Sequence, residues 1–152
     1  FQAARFEPRL RPVKQHQAIL TITTRGGAFH DISAEVERTV RESGIRTGLC
    51  VAFLRHTSAS LVIQENADPA VLRDLGKWMA DLAPQSSRWE HQDEGPDDMP
   101  SHARCAVTRS SESIPVMNGK LALGTWQGLY LWEHRSRPHQ RTVVVHVIGE
   151  EV

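Results

Sequence analysis

Three histidines carry the first suggestion of chemistry in this 152-residue chain. His56 heads the run His56-Thr57-Ser58-Ala59-Ser60, while His91 and His102 bracket the acidic stretch Asp93-Glu94-Gly95-Pro96-Asp97-Asp98. Imidazole nitrogens suit Zn²⁺ and other borderline cations, and a carboxylate can complete or orient such a site. His56, His91 and His102 together match the ligand count of a catalytic zinc that keeps a position open for water or substrate. The chain has no HExxH or CxxC pair to specify this, so surface or hydrogen-bonded histidines remain the alternative. The acidic stretch could instead hold Mg²⁺ for a diphosphate substrate, or be a solvated loop.

Other residues fit around this nucleus. Thr57, Ser58 and Ser60 beside His56 invite a nucleophile-and-base reading, but adjacent residues of an extended chain point to opposite faces and no GxSxG elbow is present. Hydroxyls that orient a ligand or bind an anion are the stronger reading, with the polar end Gln64-Glu65-Asn66 of the same stretch available to a ligand. Trp126 and Gln127, set between Gly124 and Gly128, could line a pocket or pack on a hairpin. Glu133 could accept a proton or pair with an arginine. Arg135, Arg137 and Arg141, with His139, suit a phosphate through fork-like donors, or form a solvated basic loop. His146 on a Val-rich strand reads as a satisfied structural histidine.

The bulk properties narrow the partners. Lys plus Arg and Asp plus Glu are 18 each, so the basic footprint that a nucleic-acid backbone demands is missing. Small anionic ligands fit better. No run approaches the roughly 18 apolar residues of a membrane-spanning helix. Cys50 and Cys105 are the two cysteines; Cys50 sits in an apolar run as a small hydrophobe, and such usage suits a reducing, cytoplasmic home.

The elements that must position these groups are legible from spacing. Residues 1–15, with Pro8 and Pro12, read as an extended arm ahead of one domain over 16–152. A strand is expected from His16 to Thr24, then a helix from about Asp31 to Ser43, capped by Asp31 or Ser33 and ended by Gly44. Leu49–Leu54 reads as a buried strand and Ser60–Gln64 as another. Asp68-Pro69 opens a helix to about Leu82, with Leu72, Leu75, Met79 and Leu82 inward. Residues 84–101 form a long loop, and a short helix follows from about Pro100 to Thr108. Asn118-Gly119 is a type I′ hairpin signal between Ile114–Met117 and Lys120–Leu123, whose second arm is expected to run on to Glu133. Thr142–Ile148 closes the chain as a strand. The order predicts an α+β fold with a mixed or mostly antiparallel sheet.

Several motifs in fixed order resemble the YjbQ family, also labelled secondary thiamine-phosphate synthase. They are His56-Thr57-Ser58-Ala59-Ser60, Glu65-Asn66-Ala67-Asp68-Pro69, His91 through Glu94-Gly95-Pro96-Asp97-Asp98-Met99-Pro100 to His102, Ile114-Pro115, Asn118-Gly119, Leu121 through Gly124-Thr125-Trp126-Gln127-Gly128, and Glu133-His134-Arg135. The resemblance spans about residue 14 to Glu150. It implies a single α+β domain assembled as a homotrimer, with a potentially metal-binding histidine site. Many members carry Asn in place of Asp98 and an Asp-Gly-Pro-Arg run in place of His134 to Arg137. The implied activity is condensation of hydroxymethylpyrimidine diphosphate with hydroxyethylthiazole phosphate, as a secondary reaction. A divalent cation would neutralise the leaving diphosphate, Arg135, Arg137 or Arg141 would hold phosphate oxygens, and His56 or Glu133 would handle protons. Metal-dependent hydrolysis of a small phosphorylated molecule, or metal and ligand binding without turnover, are the alternatives.

Overall fold

A computed structural model describes residues 11–152. The extended arm expected over residues 1–15 lies outside the described residues as far as residue 10, and Lys14 already belongs to the first strand.

Strands β1 (Lys14–Thr23) and β2 (Phe29–Asp31) precede helix α1 (Ser33–Ser43), and β3 (Thr47–Leu54) and β4 (Ala59–Glu65) precede α2 (Pro69–Leu82) and α3 (Asp98–Ala106). Strands β5 (Ser111–Met117), β6 (Lys120–Leu121), β7 (Gln127–Glu133) and β8 (Gln140–Glu150) complete the chain. Two antiparallel sheets form, one ordered β1-β8-β3-β5-β6 and the other β2-β7-β4. This is an α+β fold.

The core lies between the sheets and α1. The N-cap Ile32 and Val36 and Val40 of helix α1 follow at spacings of four, and the larger sheet contributes Cys50, Ala52, Leu54, Ile114, Val116, Val143, Val145 and Val147. The smaller sheet closes it with Ala59, Leu61, Leu129 and Leu131. Alternation on β3 and β8 puts every second residue inward. The opposite face of the larger sheet is open: Ile19 and Met117 are 66% and 61% exposed, with Phe53, Leu49 and Ile148 between them. The strand at Leu49–Leu54, expected to be buried, is therefore buried on one face only.

Other departures have local causes. The helix expected from Asp31 starts at Ser33, because Phe29–Asp31 is drawn into the smaller sheet against Trp132, Leu131 and Tyr130. Neither expected cap acts as one: Ile32 is the N-cap, Asp31 Oδ1 accepts the Ser33 N–H, and Ser33 Oγ accepts the Leu129 N–H from β7. Gly44 ends α1 in the left-handed region at φ 71°, as expected. Helix α2 buries Met79 alone, and Leu82, assigned to its inner stripe, is 52% exposed. Asn118 and Gly119 supply the two positive-φ positions of the β5–β6 turn. The second arm does not run on to Glu133. A turn closed by Gln127 N–H to the Gly124 carbonyl and by the Gln127 side chain to Gly124 N–H sends the chain into the other sheet as β7. The short helix begins at Asp98, earlier than expected, and that shift positions the site.

Candidate metal centre

Helix α3 opens on Asp98 and carries His102 one turn later, so both side chains stand on one helix face. The loop before α3 folds His91 back onto the same face. Nε2 of His91 lies 2.7 Å from Asp98 Oδ2, and Nε2 of His102 lies 3.2 Å from that oxygen. The three donor atoms all lie within 4.8 Å of one another, the one such group of His, Cys, Asp or Glu among the described residues. His56, expected as the third imidazole, stands outside it, and Asp98 takes its place.

Asp98 is 1% exposed and fully engaged. Its other oxygen, Oδ1, accepts Arg135 Nη1 at 2.7 Å. Arg135 also donates Nε to Asp97 Oδ2 at 3.0 Å and Nη2 to the Glu94 carbonyl at 2.8 Å. Burial works to raise the carboxyls of Asp97 and Asp98, but their hydrogen bonds outweigh it. Ser136 N–H and the Arg135 fork hold Asp97 well below the usual carboxylate range, and His91 with Arg135 lowers Asp98. The acidic stretch is thus not a pooled cluster of carboxylates: Asp97 anchors the loop after β7 while Asp98 faces the histidines.

The donor set itself fits a cation. His102 Nδ1 lies 3.0 Å from the Thr57 carbonyl, an acceptor, so Nδ1 carries a proton. A neutral His102 then turns the Nε2 lone pair toward the Asp98 carboxylate. Two acceptors at that distance need a positive centre between them, either a metal ion or a further proton on Nε2.

Beneath this centre lies a buried ion pair. Glu133, at the end of β7, and Arg141, near the start of β8, are 0% and 2% exposed. Arg141 Nε donates to Glu133 Oε2 at 2.8 Å, its Nη2 meets Glu133 Oε1, and Nη2 also donates to Ser58 Oγ at 2.9 Å. Thr24 Oγ1 and Arg135 N–H supply the remaining donors to Glu133. Ser58 in turn touches His56: its N–H donates to His56 Nδ1 at 3.2 Å, and its hydroxyl lies 3.1 Å from the same nitrogen. Burial first, and then the Arg141 guanidinium, lower the His56 pKa below the ordinary imidazole value. Ser60 Oγ is buried against His134 Nε2 at 2.8 Å, and burial followed by Arg104 brings the His134 pKa down to about 4.

The expected ligand-binding residues therefore separate. Arg135 and Arg141 spend their guanidinium groups on carboxylates, and of the three arginines only Arg137 is exposed. Ser58 and Ser60 are buried supports. Thr57 is exposed and holds His102 through its carbonyl. Asn66, Trp126 and Gln127 lie at the opposite end of β4 and β7, roughly 25 Å from Ser58 at strand spacing. There Asn66 Nδ2 donates to the Thr125 and Gln127 carbonyls, pinning the turn, while Trp126 is 64% exposed. His146 is not satisfied as expected: its Nδ1 is buried without a partner.

Two clefts meet at the histidine pair, whose ring centroids are 5.7 Å apart. His102 lines one of about 330 Å³ with His56, Thr57 and Cys105. His91 lines the other, of about 360 Å³, with Trp89, Gln92 and Met99. A larger cavity of about 510 Å³ between β4 and α2 is lined by Gln64, Arg109, Glu112 and Gln127 as well as Leu61, Trp78 and Met79, and His56, His91 and His102 do not line it. The group of His91, Asp98 and His102 adjoins the smaller clefts.

Residues 18–150 match the family described as UPF0047 protein YjbQ-like. Among relatives, the UPF0047 protein sll1880 of Synechocystis is 57% identical over 138 residues, covering 90% of this chain and 94% of that protein. The UPF0047 protein YjbQ of Salmonella typhimurium is 40% identical, covering 89% and 99%. A solved YbjQ-like protein of unknown function from Sulfolobus solfataricus superimposes with a TM-score of 0.84 at 26% identity, covering 91% of this chain and all of that one. An uncharacterised YjbQ/UPF0047 protein from Clostridium acetobutylicum gives 0.80 at 37% identity, covering 86% and 98%.

Proposed function

The chain belongs to the YjbQ-like UPF0047 family, and from that premise we propose a divalent-metal-dependent enzyme acting on small phosphorylated molecules. Its secondary reaction is condensation of hydroxymethylpyrimidine diphosphate with hydroxyethylthiazole phosphate. The observation that carries this reading is the convergence of His91, Asp98 and His102 where two clefts meet. A two-substrate reaction needs room on both sides of the reacting centre, and hydrolysis of one phosphate ester needs less. Two imidazoles and a carboxylate are a donor set for Zn²⁺ with a position left open, and Mg²⁺ would enter with a diphosphate substrate. A bound cation would neutralise charge on the leaving diphosphate. The exposed Arg137 and the neighbouring imidazoles His56 and His139 are the groups to attract the phosphate.

Elemental analysis of the purified protein tests the metal, with the His91→Ala/His102→Ala variant beside it. Stoichiometric metal in the parent and loss from a folded variant is the expected result. Equal content in both, or a parent that refuses added Zn²⁺, Mn²⁺ and Mg²⁺, overturns it. Diphosphate release from the two thiamine precursors, abolished by chelation and by Asp98→Ala, then tests the reaction. Phosphate release from single phosphate esters without condensation would favour a hydrolase, and saturable binding without any product a binding protein.

Two further features belong to the same proposal. The open apolar face of the larger sheet supports assembly as a homotrimer, which light scattering would measure. Cys50 and Cys105 are both free thiols, which suits the cytoplasm.

A further inference from the structure

The segment His56-Thr57-Ser58 touches two imidazoles with two different backbone groups. The Thr57 carbonyl faces Nδ1 of His102, and the Ser58 N–H faces Nδ1 of His56. A carbonyl can only accept and an amide can only donate. His102 must therefore be protonated on Nδ1, which leaves Nε2, the nitrogen facing Asp98, as the one that offers a lone pair to a cation. His56 must have its lone pair on Nδ1, which leaves the proton of the neutral ring on Nε2. The two ends of one peptide group, Thr57–Ser58, thus set opposite tautomers in two histidines that line the same cleft.

We propose that His56 is a hydrogen-bond donor to an anionic oxygen of the ligand through Nε2–H, and neither a ligand of the cation nor a general base. This rests on the metal-dependent reading above and divides the labour within it: His102 offers an electron pair, His56 a proton-bearing nitrogen. Supporting groups lock the arrangement. Ser58 is 1% exposed and its hydroxyl oxygen accepts from Arg141, so the hydroxyl proton is directed away from the guanidinium and is free for His56 Nδ1 at 3.1 Å. The Glu133 carboxylate fixes that guanidinium in turn. Reversing the His56 tautomer would set a ring N–H against the Ser58 N–H and remove the acceptor for the Ser58 hydroxyl. The pocket walls agree with an anion. None of the residues lining the cleft carries a carboxylate, and Glu133, the acid behind His56, is held by Arg141. The ligand class is therefore a phosphate or diphosphate whose oxygen comes within reach of Nε2 of His56 while the cation sits on the far side of His102.

Two-bond ¹⁵N–¹H correlation spectra of the full chain read the tautomers directly, with His56→Ala identifying the His56 signals. The expected pattern is a proton on Nε2 and a bare Nδ1 for His56, and a proton on Nδ1 for His102, whose Nε2 is bare when the cation is bound. Saturating Zn²⁺ should perturb His102 Nε2 and leave the His56 proton in place. A protonated Nδ1 on His56, or loss of its Nε2 proton when Zn²⁺ is added, overturns the proposal, the latter making His56 a ligand. Should Zn²⁺ bind nowhere, the metal reading fails while the metal-free spectrum still decides the tautomer. Inorganic diphosphate is the second probe. His56→Gln, whose amide nitrogen reaches the place of Nε2, should keep its affinity within a few-fold, and His56→Ala should weaken it roughly tenfold. Equal affinity in both variants, whether lost or kept, overturns the donor role.

Discussion

Glu133 and Arg141 stand on neighbouring strands of different sheets and close a buried ion pair across the seam between them. Each carries a full charge where almost no water reaches, and each satisfies the other. Replacing one partner leaves a buried charge uncompensated. Arg141→Met or Glu133→Gln is expected to cost about 3–5 kcal/mol in urea unfolding. The double variant Glu133→Leu/Arg141→Met should recover a large part of that loss. A double variant as unstable as the sum of the singles would show that the pair is not the coupled unit described.

Arg135 touches no metal ligand atom except through Asp98, and its effect on metal should be indirect. Arg135→Met removes the donor to Asp98 Oδ1 and lets the carboxylate turn. Zn²⁺ affinity measured by titration calorimetry is expected to fall about 10–100-fold, the usual scale for the outer partner of a ligand. Arg135→Lys should not restore it, since a single ammonium cannot span Asp97 and Asp98 together. Unchanged affinity in both variants would remove Arg135 from the support of the centre.

His134 makes stability depend on pH. Its pKa falls from an ordinary 6.5 to about 4 on folding, through burial and then Arg104. Between those values the unfolded chain binds the proton and the native ring does not, so stability rises with pH across that window. Cooling this contribution out by acid, from pH 7 to pH 4, should cost up to roughly 3 kcal/mol. His134→Gln keeps a hydrogen-bonding partner for Ser60 without the titration, and its melting temperature should vary less over the same range. An identical pH profile for both proteins would exclude His134 as the source.

Asn66 tests the separation of the two ends of β4. Asn66→Ala removes both bonds to the turn at Thr125–Gln127 and is expected to destabilise by about 1 kcal/mol. Zn²⁺ affinity and any diphosphate release should be unchanged. A fall in either would place that turn in the site after all.

The α+β class, the α1 core face, the Asn118-Gly119 turn and the pair His91 with His102 are legible in the sequence because each depends on local spacing. Asp98 was legible in principle, four residues before His102 and so on the same helical face, but four acids in six positions hide the one that faces inward. Arg141 carries its signal in its register. It lies two residues before Val143, in step with Val145 and Val147, and strand alternation turns all four toward the core. Glu133 follows Leu129 and Leu131 in the same way. The passage of the chain into the second sheet at Gly124 was not legible, since the bonds that make that turn come from Gln127 and Asn66 and depend on the folded arrangement of β4 and β7.

Strand β8 has a consequence for how this protein is made. It lies between β1 and β3, pairing Lys14 with Gly149 on one side and Thr47 with Glu150 on the other. A nascent chain on the ribosome therefore holds β1 and β3 long before the strand that joins them exists. Until translation has passed residue 150, β1 has no partner in its sheet, and its edge and the inward faces of Leu20 and Ile22 are open to other chains. The sheet can close only once β8 has emerged, and the interval before that is when a holding chaperone would matter most to this fold.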